Sequence, residues 1–549
     1  SLLNQTQLKT PALYYATGRK KDGTLDLIEK VSRKDDVYSS SNLTTRKIYF
    51  EGRVNYDRVF NEKHRVGGLL LYYMDDFVTG EAQTLIASIP KRYTGLAARA
   101  TYSFKDTYFL EGNLGYTGSE AFAKGQKFGV FPAISGGWVP TQYEWVQENL
   151  SFIDFWKFRA SYGIVGNDRI NSSVRFPFLS TMTQGSGAGI WGGGDNIVES
   201  QEASQNLRWE KAKKFDIGID AQFFKQKIDV TVDFFHENRT GIFQQRASIP
   251  DEMGLVTLPW ANVGAMESWG ADGNISYLHQ FNKDWSLTAR ANFTYTNNKL
   301  TEYEQSGIKY PYQSWVGSPY GNQRGLIALG LFKDQADIDN SPKQTFMADV
   351  MPGDIKYKDV NGDGVIDEYD EVLIGNSNVP RLQYGFALEL KYKRLSVSAL
   401  FEGVGIVDFM YGGNGFYPFT GKQTGNVLSI VADPSNRWIP ASYSGDPSTE
   451  NPNARFPRLT YGPNANNERN STFWMADGRY LRLKNVQITY DFTCPQMKKI
   501  GLQGFQLSLI GDNLACWDKV KLWDPAQASG NGAVYPLQRV FTLQANLQF

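Results

Sequence analysis

Residues 359–370, DVNGDGVIDEYD, have the residue types and spacing of a calcium-binding loop. Ca²⁺ prefers oxygen ligands, and carboxylate, amide and backbone carbonyl oxygens recur here on alternate positions. Gly364 permits the sharp turn that brings such ligands together. The predicted ligands are Asp359, Asn361, Asp363, Val365 through its backbone carbonyl, Asp367 and Asp370.

The surroundings of this loop argue against a calcium sensor. The segments DIKYK before it and EVLIGNSNVP after it lack a helical pattern, so there is no helix pair for calcium to open. Asp370 stands where such loops usually have Glu, and its shorter side chain predicts modest affinity. We expect calcium to stiffen an extracellular loop. The alternative is a turn rich in Asp, Asn and Gly that binds no metal.

Other residues that carry chemistry are sparse. His64, His236 and His279 are far apart in the sequence and form no HExxH motif. Cys494 and Cys516 form no CxxC motif, and we expect both to be free thiols. We therefore predict no catalytic site and no enzymatic activity.

The composition is compatible with a membrane protein made of strands. Lys plus Arg and Asp plus Glu number 57 each, so there is no bulk charge that favours nucleic acid as a partner. The longest apolar runs, such as GLLLYYM at 68–74, are too short for a membrane helix. Aromatic residues make up 14% of the chain and glycines number 53, which suits a β-barrel in which every second strand residue meets lipid.

Alternation of apolar and polar residues predicts strands along the whole chain. In VFTLQANLQF, residues 540–549, every second residue from Phe541 is apolar and the last is aromatic. The same period of two occurs in KIYFEGRVNY at 47–56, WKFRASYG at 156–163, WSLTARANFTY at 285–295 and QYGFALELKYK at 383–393. Arg, Lys, Glu and Asn lie within these strands, as the wet interior of a membrane barrel permits.

The segments between the predicted strands alternate between short and long. Short turns are predicted at 61–64, 105–106, 225–226, 282–284 and 393–394, and the longest loops lie near 167–208, 304–380 and 411–472. Short periplasmic turns and long extracellular loops are typical of outer-membrane barrels. We count about 16 strands, the first near 8–16, and expect an all-β, transmembrane, antiparallel β-barrel.

Several stretches resemble one protein family and occur in the order found in that family. They include GVFPAISGGW at 129–138, FWKFRASYGIVGN at 155–167, LRWEKAKKFDIGIDAQFF at 207–224, PGDIKYKDVNGDGVID at 352–367 and STFWMADGRYLRLKNVQITYDF at 471–492. On these stretches the chain resembles the SusC/RagA-type TonB-dependent outer-membrane transporters of Gram-negative, Bacteroidetes-like bacteria. This family often carries the calcium-type loop.

The resemblance implies a barrel of about 22 strands that encloses a plug domain. In such proteins the plug domain and the first strands come first, and their motifs are not visible in this sequence. Residues 1–549 are therefore expected to be the C-terminal part of the barrel.

The resemblance also implies a function and its partners. The function is active import of oligosaccharides or oligopeptides, energised by TonB and assisted by a SusD-like surface lipoprotein that acts as a lid. TonB would act through the part that precedes this sequence, the barrel would lie in outer-membrane lipid, and dimers of transporter–lid pairs are a further expectation. The alternative is a passive porin or an adhesin barrel.

Aromatic residues of the long loops are the candidates for contact with the substrate or the lid. Stacked rings bind sugars and also form protein interfaces. The candidates are Trp191, Phe416, Tyr417, Trp438, Tyr443 and Trp474. The sequence does not separate substrate contact from lid contact or from packing within the loops.

Overall fold

The structure is a computed structural model of the chain. It describes residues 12–32, 44–80, 85–170, 174–185, 196–413, 415–419, 427–492 and 501–549. Within these residues β-strands dominate, and the described helices have at most six residues. None of the described helices combines the length and the apolar character needed to cross a membrane.

Fifteen strands form one hydrogen-bonded sheet. They are β1 (Thr45–Phe60), β2 (His64–Thr79), β3 (Lys91–Phe104), β4 (Tyr108–Ser119), β5 (Phe128–Trp138), β6 (Ile153–Asn167), β7 (Glu210–Phe223), β8 (Ile228–Gln245), β9 (Trp260–Gln280), β10 (Trp285–Glu302), β11 (Leu382–Tyr392), β12 (Leu395–Gly405), β13 (Tyr480–Asp491), β14 (Gly504–Asp518) and β15 (Val540–Gln548). Neighbours in this series are neighbours in the sheet, which is therefore an up-and-down meander. From β3 to β15 every neighbouring pair is antiparallel, as predicted.

The predicted first strand, near 8–16, begins outside the described residues and does not belong to this sheet. Leu13–Arg19 pairs with Leu25–Val31 in a separate two-stranded sheet. A tight turn joins them, in which the N–H of Gly23 donates to the carbonyl of Lys20 at 2.9 Å and Gly23 has a φ of +84°. Among the described residues the large sheet has 15 strands, close to the predicted number of about 16, and Leu13–Arg19 is not one of them.

The chain divides into two compact units. The smaller unit comprises Ser1–Phe50 and Asp75–Arg92 and contains the separate two-stranded sheet. The larger unit comprises Glu51–Met74 and Tyr93–Phe549 and contains β4 to β15 in full. All the sites described below lie in the larger unit.

Strands β9 and β10 of the larger unit each have an apolar face and a polar face. On the apolar face, Trp285 and Phe293 of β10 are 38% and 39% exposed, and Ile275 of β9 is 45% exposed. The ten-residue rise from Trp285 to Tyr295 is ~34 Å along the strand. At a strand tilt of ~40° this rise becomes a height of ~26 Å, which matches the apolar band of outer-membrane barrels. The apolar face therefore has the dimensions of a lipid contact.

Ion pairs cross the strands on the polar face. Arg159 of β6 pairs with Asp220 of β7 at 2.8 Å and with Asp233 of β8 at 2.9 Å. Gly218 lies opposite Arg159 in the register, and a Cβ atom at Gly218 would lie 2.1 Å from Asp233 Oδ1. Gly218 therefore leaves the room that the ion pair needs.

The long connections alternate with short ones, so the antiparallel meander places them at one edge of the sheet, which we call the upper edge. The three longest are 168–209, 303–381 and 406–479, close to the predicted loops. At the opposite edge 393–394 is a tight turn, whereas 139–152 contains short helices. The alternation of connection lengths agrees with the sequence pattern.

Small elements fold the long connections. Their strands are Thr181–Gly185, Asn196–Gln201, Gln323–Gly325, Ala328–Leu331, Lys343–Gln344, Ile355–Tyr357, Val365–Ile366, Val372–Gly375, Asp408–Met410 and Met475–Asp477. The described α-helices are Leu85–Ser88, Glu144–Asn149, Gln335–Asp339, Ser429–Ala432 and Ala441–Ser444, and the 3₁₀ helices are Pro140–Gln142, Asp251–Met253, Pro311–Gln313, Glu368–Asp370, Pro447–Thr449 and Pro525–Gln527. Most of these elements lie in 303–381 and 406–479, which are therefore folded segments.

Candidate functional site

The connections 303–381 and 406–479 pack into one folded body, which we call the loop body. Its shared core consists of Leu326, Leu331, Ile355, Tyr357, Ile366, Phe416, Val431, Trp438, Ala454, Phe456 and Trp474. Each of these side chains is at most 8% exposed. Leu522 and Trp523, from the connection between β14 and β15, pack against the same core. The two longest loops are thus built like a small soluble domain.

A buried carboxylate joins the two halves of the loop body. Asp354 is fully buried and forms an ion pair with Arg458, whose Nη2 donates to Asp354 Oδ2 at 3.0 Å. The side-chain amides of Asn464 and Asn467 donate to Asp354 Oδ1 at 3.1 and 2.8 Å. A buried charge is tolerated when it is paired and hydrogen-bonded in this way. Because Asp354 and Asn467 are 113 residues apart in sequence, the network holds distant segments together.

Amide side chains continue this network. Gln344 Nε2 donates to Asn466 Oδ1 at 2.6 Å, and Asn466 Nδ2 donates to the carbonyl of Ile355 at 3.0 Å. The hydroxyl of Tyr357 donates to the carbonyl of Asn466 at 2.6 Å. Burial raises the pKa of Tyr357, so its hydroxyl remains protonated and keeps its donor role at neutral pH.

Three of the aromatic candidates take the packing role that the sequence left open beside substrate and lid contact. Phe416, Trp438 and Trp474 lie inside the core of the loop body, where they are 3%, 4% and 2% exposed. Side chains buried to this degree offer no face to a substrate or a lid. They stabilise the loop body, and the indole N–H of Trp474 also donates to the carbonyl of Asn467 at 2.7 Å.

The other aromatic candidates differ in exposure. Tyr443 is 87% exposed, and Tyr461, which is 72% exposed, was not among the candidates predicted from the sequence. Tyr417 is half-buried and packs edge-on against Trp474 with ring centroids 5.2 Å apart, and burial raises its pKa. Trp191 lies outside the described residues, as does Cys494. The exposed surface of the loop body therefore offers Tyr443 and Tyr461 for contacts.

The predicted calcium loop, residues 359–370, folds through hydrogen bonds from its own backbone. The carboxylate of Asp359 accepts the N–H groups of Gly362 and Gly364 at 2.6 and 2.9 Å. Asn361 Oδ1 accepts the N–H of Asp363 at 2.9 Å. Both glycines have positive φ angles, 77° and 84°, a conformation that glycine adopts without strain.

Asp370 closes this loop from the inside. It is fully buried, and its carboxylate accepts the N–H groups of Val360 at 2.7 Å and Asp367 at 3.0 Å. Among the residues that the structure describes, no three His, Cys, Asp or Glu side chains form a group that could hold a metal. The predicted oxygen donors are present, but their carboxylates bind backbone N–H groups of the loop. Calcium binding therefore stays a prediction.

A cavity of about 730 Å³ lies at the upper ends of β8, β9 and β10, and we call it the strand-end cavity. Its aromatic lining consists of Phe243, Trp260, Tyr303, Trp315 and Tyr320. Tyr303 and Tyr320 are 38% and 65% exposed, so their rings are accessible from the cavity and from solvent. Acidic, basic and amide side chains complete the wall. This mixture of ring faces and polar groups is typical of sites that bind small molecules.

One wall of the strand-end cavity is fixed by a hydrogen-bonded carboxylate. Glu304 forms an ion pair with Arg246 at 2.8 Å, and it accepts the N–H and the hydroxyl of Ser248 at 2.8 and 2.6 Å. Burial raises the pKa of Glu304, but the bonds from Ser248 and Arg246 outweigh it and lower the pKa to about 2. Glu304 is therefore a structural anion at neutral pH.

The basic side chains of this cavity are neutralised within the protein. Arg239 pairs with Glu210 at 2.9 Å and with Glu237 at 2.8 Å, while Arg246 is occupied by Glu304. Glu302 also lines the cavity, and it forms no ion pair within the described part of the chain. The charge in the cavity that no ion pair neutralises is thus negative.

An aromatic segment, 308–324, connects the predicted calcium loop, residues 359–370, to the strand-end cavity, and we call residues 359–370 the acidic loop. Trp315 and Tyr320 of this segment line the cavity. Tyr310 and Tyr312 stack with ring centroids 5.4 Å apart, and the hydroxyl of Tyr312 donates to the carbonyl of Tyr369 in the acidic loop at 2.7 Å. The acidic loop is therefore hydrogen-bonded to the segment that carries two rings of the cavity wall.

Sequence reasoning missed the strand-end cavity and the Asp354 network. The cavity combines residues from several strands and loops, and Asp354 meets partners more than 100 residues away. A weak signal existed in KYPYQSWVGSPY at 309–320, where aromatic residues cluster within one loop.

Comparison with known proteins gives a consistent result. The family model described as "TonB dependent receptor-like, beta-barrel" matches residues 3–514. TonB-dependent receptor P26 of Formosa agariphila is 27% identical over 484 residues, which are 82% of this chain and 45% of that protein. TonB-dependent receptor SusC of Bacteroides thetaiotaomicron is 22% identical over 467 residues, which are 82% of this chain and 43% of that protein. The chain spans about half the length of the curated relatives it matches.

A solved structure has the same fold. The structure of the RagAB peptide transporter superposes with a TM-score of 0.70 at 19% sequence identity and covers 92% of this chain and 56% of that one. At this level of identity the likeness shows the fold and does not specify the cargo. The antiparallel meander described above is therefore found in a known transporter barrel.

Proposed function

The chain belongs to the TonB-dependent receptor-like β-barrel family, and from this we propose that it is the barrel part of an outer-membrane transporter that imports oligosaccharides. The family consists of receptors and transporters, which agrees with the prediction that the chain is not an enzyme. Oligopeptides are the second candidate cargo, because the RagAB neighbour is described as a peptide transporter.

The strand-end cavity carries the proposal of a saccharide cargo. Aromatic rings stack on the C–H faces of sugars, while the phenol and indole groups of Tyr303, Tyr320, Trp260 and Trp315 and the carboxylate of Glu302 suit sugar hydroxyls. Because its basic side chains are already paired, the cavity favours an uncharged cargo over an acidic one.

The proposed partners follow from the same family. We propose a SusD-like lipoprotein as the lid above the upper edge, with Tyr443 and Tyr461 as exposed contacts on the loop body. TonB would supply the energy through the part of the relatives' length that this chain does not span. A dimer of two transporter–lid pairs is the corresponding assembly.

Calorimetry on protein purified from outer membranes tests the cargo. We expect neutral oligosaccharides to bind, uronic-acid oligosaccharides to bind more weakly, and Trp260→Ala with Trp315→Ala to weaken binding roughly threefold to tenfold per ring. Trp145→Ala is the matched control, since Trp145 is 60% exposed in the helix Glu144–Asn149 at the opposite edge of the sheet. If the protein binds oligopeptides and does not bind saccharides, the proposed cargo is wrong and oligopeptides take its place.

Uptake measurements separate active import from the alternative of a passive barrel. We expect accumulation of the cargo to stop when the proton gradient is dissipated, and a lipoprotein to co-purify in mild detergent at a one-to-one ratio. Uptake that continues at the same rate without the gradient would support a passive porin instead.

A further inference from the structure

The cross-strand register divides the apolar face into rows. In one row Tyr162, Phe215, His236 and Trp269 are successive partners on β6 to β9. This row lies two residues further up each strand than the row that ends at Tyr295, which is the upper limit of the apolar band. Aromatic side chains at this height are typical of the interface between lipid tails and headgroups. We call it the interface row.

Directly above the interface row the same face becomes basic. Lys213, Asn238, Glu267 and Lys299 are successive partners on β7 to β10. Lys211 lies one row higher on the same face of β7. The lysines at 211, 213 and 299, which we call the rim lysines, are all exposed. They stand at the height of lipid headgroups.

The rim lysines are not held in ion pairs within the described part of the protein. The adjacent Lys214 points to the polar face and pairs with Glu237 at 3.1 Å. The carboxylate in the lysine row, Glu267, lies 2.7 Å from His236 Nε2. Glu302 ends the row of Lys211 through Thr240 and Ala265, so the three lysines stand against two carboxylates, Glu267 and Glu302, and the patch keeps a net positive charge.

We propose that the rim lysines bind the phosphate groups of an outer-leaflet glycolipid. The proposal rests on the proposed outer-membrane location and is independent of the cargo. Ammonium groups attract phosphate, and a basic residue near an anionic lipid surface strengthens binding about fivefold. The interface row below would hold the acyl chains at the matching height. The apolar face thus ends in a site for a lipid with a charged head.

Lipid binding to protein purified from outer membranes and delipidated in detergent tests this site. The probes are monophosphoryl lipid A and dephosphorylated lipid A with the same acyl chains, titrated at low salt. We expect tighter binding of the phosphorylated lipid, and removal of this preference when all three rim lysines are changed to Gln. Each single change to Gln should weaken the binding of the phosphorylated lipid about fivefold.

Lys214→Gln is the matched control, because it removes a lysine next to Lys213 on the opposite face. It should leave the preference intact, and heat-modifiable migration on gels confirms that every variant is folded. Equal binding of both lipids by the unchanged protein would overturn the proposal. A loss in Lys214→Gln as large as that in the triple variant would also overturn it, as would displacement of the lipid by millimolar inorganic phosphate.

Discussion

The sheet and the loop body place their apolar side chains in opposite ways. On the sheet, Ile275 and Phe234 are 45% and 58% exposed on the apolar face, while Arg159 and Asp233 pair on the other face. In the loop body Trp474 is 2% exposed, in a core next to the buried Asp354 network. The sheet exposes its apolar side chains, as a protein surface in lipid does, whereas the loop body buries them, as a protein in water does. A single chain forms both regions.

This difference separates what holds each region together. The sheet is held by its ladder of backbone hydrogen bonds, which must be satisfied internally in lipid. The loop body has few ladder bonds and depends on a core and on buried polar bonds between distant segments. Substitutions should therefore affect one region without the other, and the predictions below test this independence.

The largest expected effect is the loss of the loop body in Trp474→Ala. Removing a buried Trp side chain costs about 3–5 kcal/mol, which is much of the stability of a small domain. We expect limited proteolysis to cut within 303–381 and 406–479 while the sheet stays folded. Tyr443→Ala, at a position that is 87% exposed, is the control and should leave the cleavage pattern unchanged. Unfolding of the whole protein by Trp474→Ala would contradict the independence of the two regions.

A charge on the apolar face should act on the sheet alone. Ile275 lies opposite Ala291, near the middle of the apolar band, so Ile275→Arg should cost about 2–4 kcal/mol in a membrane. The adjacent Asn274 lies on the polar face, and Asn274→Arg should cost much less. Unfolding by urea in lipid vesicles measures both variants. Equal destabilisation by the two changes would contradict the assignment of the lipid-facing side.

The two regions were unequally predictable from the sequence. The period of two in WSLTARANFTY correctly predicts β10, because each strand residue faces either lipid or a wet interior. The loop body has no such period, and Phe416, Trp438 and Trp474 become one core through contacts between distant segments. The lysine row on β7 to β10 required the cross-strand register, which single-sequence patterns do not contain. The tight turn at Gly23, which pairs Leu13–Arg19 with Leu25–Val31, was also not predicted from the sequence.

The cavity wall between the two regions should respond to pH through Glu304. Its pKa is about 2 in the folded protein, below the ordinary value of 4.5. A carboxylate whose pKa is lower in the folded state than in the unfolded state stabilises the folded state at pH values above its unfolded pKa. For Glu304 this stabilisation is lost as the pH falls from about 4.5 towards 2. We expect Glu304→Gln to loosen residues 246–248 at neutral pH and to flatten this acid dependence, measured by hydrogen exchange. An unchanged acid profile in Glu304→Gln would argue against this role.

The smallest expected effect is that of calcium on the acidic loop. From the sequence spacing we propose binding in the range of about 0.1–1 mM, as in extracellular calcium modules. Because Asp370 already closes the loop through backbone N–H groups, calcium should add little order and leave the sheet unaffected. Calorimetry on chelator-treated protein should show binding that disappears in Asp359→Ala with Asp363→Ala and persists in the control Asp446→Ala, outside the acidic loop. If calcium gives no heat, or if the double variant binds it equally well, the segment is a turn without a metal, and its task is to support Tyr312 and the cavity wall.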